Sequence, residues 1–158
     1  MAEIPLATAL QQVLAVLREA YEGPAHDWSY FTDTKPNTGM FGTLSAVTPV
    51  TASTPVAGTS VAAHVYHINF AMEAAVAWIH RKWTPRNWAE SWRVTAVSDE
   101  EWAMLLREMR QRYDALVAAV TTHALQTEEG IGGAIAAVAH AAYHLGAIRQ
   151  KLAVLRTL

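Results

Sequence analysis

Between Gly130 and Ile148 the chain carries no Lys, Arg, Asp or Glu, yet His140 and His144 fall inside that stretch. Its alanines and branched apolar residues predict a long helix over residues 130–158. Two residues four apart on a helix project from one face, one turn above the other. The flanks, Val138, Ala139, Ala141, Ala142, Leu145 and Ile148, are apolar almost all round, which predicts a buried helix. Buried imidazoles need partners. Either each histidine finds its own backbone or water partner, or both ligate one metal ion. A second close pair, His64 and His67, lies in another stretch with helical spacing.

The composition narrows the chemistry. The chain has 158 residues, 52% of them hydrophobic and 16% charged, which suits one globular domain, residues 1–158, with a sizeable core. Its net charge is −2 with no basic run, which argues against nucleic acid as a partner. There is no cysteine, so thiolate ligands, disulfides and cysteine nucleophiles are excluded. A metal must therefore be held by His, Asp or Glu. The first residues lack the basic start and apolar core of a signal peptide. The uncharged C-terminal stretch reads as a core helix and not a membrane span, because it holds two histidines and four glycines. A cytoplasmic protein without membrane partners is the expectation.

The elements follow in order. Leu6, Leu10, Val13, Leu14, Leu17 and Tyr21 recur at helical spacing within residues 3–22, and Gly23-Pro24 ends that helix. Residues 24–59 are rich in Pro, Gly and Thr, and one short helix is expected near residues 39–47. Thr59 or Ser60 caps the second long helix, which runs to about Arg81 with Ala63, His67, Phe70, Ala74 and Trp78 on its inward stripe. His64 lies at the edge of that stripe. A connection over residues 82–97 holds Trp83, Trp88 and Trp92, readable as pocket lining or as a cap or dimer contact. Ser98 and Glu101 form a capping box for the third long helix. Residues 127–133 turn the chain into the fourth. No alternating strand pattern appears. The fold class expected is all-α, a four-helix bundle with a long crossover connection between its first and second helices.

In such a bundle His67 from the second helix would join His140 and His144 from the fourth. Three neutral imidazoles with an open position describe a Lewis-acid site. Zn, Ni or Fe would each accept such a set, as would Co or Cu. His64 reads as a residue behind the ligands or as a fourth ligand. A carboxylate di-iron site needs Glu-x-x-His pairs, and the residues three before His67 and His140 are His64 and Ala137. A zinc peptidase helix needs Glu directly after its first histidine, and that position is Ala141.

The Ser60-to-His67 spacing, and His140-Ala-Ala-Tyr-His144-Leu-Gly-Ala-Ile near the C-terminus, resemble the DinB/YfiT-like superfamily. That resemblance implies a four-helix bundle with a three-histidine metal site, onto which His67, His140 and His144 map. It departs at Leu145-Gly146-Ala147, where the family often has Gln after the glycine. It further implies a homodimer and a metal-dependent enzyme acting on a small molecule. The expected reaction is either transfer or isomerisation using a low-molecular-weight thiol, or hydrolysis. The rival expectation is a metal-binding bundle without catalysis, serving in stress response or as an interaction module.

Overall fold

Helix α1 (Leu6–Glu22) starts after Pro5 and stops at Gly23, whose φ of +93° an L side chain rarely adopts, in the computed structural model, which describes residues 3–157. Two short helices follow, α2 (Met40–Leu44) and α3 (Pro49–Ser53). The first lies where the spacing predicts one. The second is additional; Thr48 caps it and Pro49 opens it. Three long helices complete the chain: α4 (Val61–Ile79), α5 (Asp99–His123) and α6 (Glu128–Leu155). Among the described residues there is no β-strand, only one isolated bridge between Val56 and Thr59. The chain is all-helical, as its periodicity predicts. The four long helices contact one another in the cyclic order α1, α6, α4, α5 around a shared core that includes Leu14, Leu17, Ile68, Leu116, Leu145 and Ile148.

The start of α4 is fixed by local chemistry. Ala57 and Gly58 both take positive φ, and Val56 and Thr59 exchange backbone hydrogen bonds across them, which makes a tight reversal. Lys151 on α6 donates its ammonium to the carbonyls of Val56 and Thr59. The next residue, Ser60, accepts the Ala63 amide as N-cap and donates to the carbonyl of Thr95 at 2.6 Å. The register of α4 is thus tied to α6 at one end and to the following connection at the other. The capping box expected at Ser98 and Glu101 is formed, with both reciprocal bonds present.

Three expectations are corrected. The glycines at 130, 132 and 133 do not delay α6, which begins at Glu128 under a Thr127 cap. Gly130 is needed there because a Cβ would lie 2.7 Å from the carbonyl oxygen of Ala124. Nor is α6 buried all round. Ile135, Tyr143 and Gly146 face outward, and among the described residues nothing beyond the adjacent helix backbone lies within 4 Å of a Cβ built on Gly146. By length and composition α6 is apolar enough to cross a membrane, a test that core helices also pass. Trp78, placed inward by its spacing, is 48% exposed, because only the first half of α4 is enclosed on all sides.

Glu19 holds residues 24–39 against α1. Its side chain is 4% exposed and accepts hydrogen bonds from the Ser29 hydroxyl at 2.7 Å and the amides of Tyr30, Phe31 and Thr32 at 2.8, 3.0 and 2.9 Å. Burial alone would raise the carboxyl pKa, but the Ser29 hydroxyl and these amides outweigh it and hold it at about 2. Glu19→Gln puts an NH2 group among donors and removes the charge. Chemical denaturation should show a loss of about 2–4 kcal/mol, from hydrogen bonds to a charged acceptor that cannot be remade.

Candidate metal centre

The two histidine pairs meet between α4 and α6. His67 Nε2 lies 3.0 Å from His140 Nε2, which lies 3.1 Å from His144 Nε2. The three histidines offer ligand atoms that all fall within 4.8 Å of one another, close enough to bind a metal ion. Ligands at the usual metal–imidazole distance of about 2.0–2.1 Å, set at tetrahedral to right angles, have nitrogens about 2.9–3.4 Å apart. The observed separations fall in that range.

The outer nitrogens decide which tautomers face inward. Ser91 Oγ donates to the Trp88 carbonyl at 2.6 Å, so its single proton is committed. The 2.7 Å contact between His67 Nδ1 and Ser91 Oγ must then run from the imidazole N–H to the hydroxyl. His67 Nε2 is left as a lone pair aimed at the cluster. On the other flank His144 Nδ1 lies 2.9 Å from His64 Nδ1, and His64 Nε2 lies 3.3 Å from Thr59 Oγ1. With His144 donating to His64, and His64 to Thr59, Nε2 of His144 is also a lone pair. Two lone pairs then face His140 Nε2. One shared proton on that nitrogen satisfies the arrangement partly; a cation accepts all three nitrogens. The residues therefore fit a metal.

His64 meets His144 through Nδ1, on the ring edge away from the shared point. It stands behind a ligand and does not close the set. Both His64 and His67 are buried, at 6% and 8% exposure. The sequence stripe separates them more than the structure does, because α4 is enclosed all round at this level.

The tryptophan connection forms one wall. Residues 86–97 run antiparallel along α4. Arg86 pairs with Glu73, Ser91 with His67, Arg93 with Tyr66, and Thr95 with Ser60. A 3-10 turn at Trp88–Trp92, capped by Asn87, lays the Trp92 ring over His67 with centroids 4.1 Å apart and planes 17° apart. Trp92 also meets the edge of His64. Trp83 stands away from the histidines and is 63% exposed. Ser91 was not foreseeable from spacing. It is fully buried and lies between two tryptophans in a segment without helical periodicity. Tyr143, beside His144 in sequence, is 71% exposed and faces outward.

Burial keeps the imidazoles neutral. Desolvation, then Lys151 and His67, lowers the His64 pKa to about 4. Desolvation, then the other histidines, lowers His140 to about 4 and His144 to about 3. Desolvation also lowers His67. Neutral imidazole is the form that binds metal. The same shifts set a pH window for stability. Unfolded histidines take up protons near pH 6.5, whereas the folded site resists until about pH 4. The unfolded state therefore binds more protons across that interval. Thermal unfolding should show a midpoint that is nearly flat above about pH 7 and falls as pH drops from about 6.5 towards 4. Protein carrying His64→Gln and His144→Gln together should show a shallower fall, whatever its absolute stability.

No protein-family profile, characterised protein or solved structure matches this chain.

Proposed function

We propose that the chain binds one divalent transition metal, such as Zn, Ni or Fe, through His67, His140 and His144 and acts as a metal-dependent enzyme on a small molecule. The convergence of the three Nε2 atoms, at 3.0 and 3.1 Å along His67, His140 and His144, carries this reading. An ion held there would serve as a Lewis acid toward a donor atom of the substrate. Ser91 and His64 fix the rings of His67 and His144 from behind, and Trp92 shields the His67 face from water. The set of three leaves room for a further donor, and His64 is turned away from it. That arrangement supports an enzyme over a closed, non-catalytic metal module. The reaction class proposed is thiol-dependent transfer or isomerisation, with hydrolysis as the second form. The frame proposed is a DinB-like four-helix bundle built of α1, α4, α5 and α6, with residues 24–59 as the crossover.

Metal stoichiometry and affinity test the ligand set. His67→Ala, His140→Ala and His144→Ala should each abolish tight binding. His64→Ala and Ser91→Ala should weaken it by roughly 10- to 100-fold, as losses behind a ligand do. Circular dichroism checks folding in each case. Full metal binding by all folded variants would contradict the assignment, and so would loss in His64→Ala with retention in His67→Ala. A small thiol that raises the unfolding temperature only of metal-loaded protein would favour the thiol-dependent class.

We further propose a homodimer through the outward face of α6, where Gly146 and Ala139 would let a second helix approach closely. Light scattering at micromolar concentration should give twice the 17.3 kDa chain mass. A monomer mass would contradict the dimer.

A further inference from the structure

His140 is the one proposed ligand that also lines an open cleft, and the character of that cleft is distinctive. The cavity is about 200 Å³, smaller than a drug-sized site and enough for a single ring or a short chain, and it opens to solvent. It exists because both walls are built of small residues. On α4 these are Ala71, Ala74 and Ala75, and on α6 they are Gly133, Ala136 and Ala137. Tyr21, Met72 and Leu116 form part of its lining, and Trp78 and Trp88, each about half exposed, complete it. No Asp, Glu, Lys or Arg lines it. At the neighbouring rim Arg86 is already paired with Glu73 at 3.1 Å and lies over the Phe70 ring.

A separate opening, at His64, is more polar. Its lining holds Thr59, Gln150 and Lys151 beside Val56, Val154, Tyr143 and Trp92. The two openings would select different ligands. Of the two, only the cleft at His140 reaches a residue of the converging set.

From this we infer that the site takes a small molecule with an uncharged apolar body, aromatic or aliphatic, seated in the cleft between α4 and α6 while its donor head reaches the histidine cluster. This inference rests on the metal reading above and narrows it to a substrate class. A carboxylate or ammonium on the buried part of the ligand would find no charged partner in the cleft and would lose its hydration. An apolar ring gains from the alanine walls and from the tryptophan faces. Trp78 and Trp88 then have a use that core packing does not give them. They are large apolar side chains left half exposed around a cavity that a ligand body would cover.

The test uses full-length protein loaded with one equivalent of cobalt(II). The probes are acetohydroxamate and benzohydroxamate, which share a metal-binding head and differ in a methyl against a phenyl body. Visible absorption of the cobalt and tryptophan fluorescence report binding. Benzohydroxamate should bind roughly 10- to 100-fold more tightly, the gain expected for burying a ring. It should also change tryptophan emission, whereas acetohydroxamate should not. Ala136→Phe fills the cleft and should remove the preference while acetohydroxamate affinity stays within about threefold. Ala75→Leu is the second filling variant if the first does not fold. Ala147→Phe, at the His64 opening, should leave the preference intact. Equal affinities for the two probes on cobalt-loaded protein would overturn the inference and leave the metal centre standing. So would loss of the preference in Ala147→Phe but not in Ala136→Phe. If cobalt is not bound, the metal reading itself fails and the inference falls with it; if cobalt is bound but neither probe alters its spectrum, the metal centre stands and the inference is overturned.

Discussion

Four imidazoles are gathered where α4 meets α6, three of them buried, and each nitrogen there needs a partner. That requirement sets the register of the two helices. A slip of one residue along α4 would turn His67 about 100° away from His140 and expose its ring to apolar neighbours. The protein holds the register from outside the cluster. Lys151 of α6 clamps the reversal at Val56 and Thr59, which delivers Ser60 as the cap of α4. Thr95 and Ser91 attach the following connection to the same helix. The histidine cluster is therefore supported by ordinary capping and turn chemistry. Its members come from regular helices, which are more rigid platforms than loops.

The same geometry orders the chemistry of the site. Neutral rings are favoured by burial, and their inward lone pairs are selected by what the outer nitrogens touch. Ser91 can serve His67 only as an acceptor, because its own proton is committed to Trp88. His64 stands in the corresponding place behind His144. The two supporting groups approach from opposite flanks, one from the connection and one from α4 itself. Between them the cluster is accessible at His140, toward the apolar cleft.

Much of this was legible in the chain. The four long helices follow from apolar periodicity, and two of their starts from the caps at Ser60, offered beside Thr59, and Ser98; the first helix begins at Leu6, three residues later than its spacing suggests. His140 and His144 announce themselves by spacing in an uncharged stretch. His67 follows from its place on α4. The remainder depends on tertiary packing. Periodicity gives the direction of a side chain but not how far the neighbours wrap the helix, so His64 reads as an edge residue and Trp78 as an inward one. The opposite holds for each, because α4 is enclosed only in its first half. Ser91 and Trp92 lie in a 3-10 turn whose position is set by side-chain bonds to α4, and spacing carries no trace of such bonds.

X-ray absorption at the metal edge of stoichiometrically loaded protein tests the central claim most directly. The account predicts three imidazole nitrogens at about 2.0–2.1 Å, with the outer-ring scattering that identifies histidine and at least one additional light-atom donor from solvent. A first shell dominated by carboxylate oxygen, or a shell with one histidine or none, would contradict it.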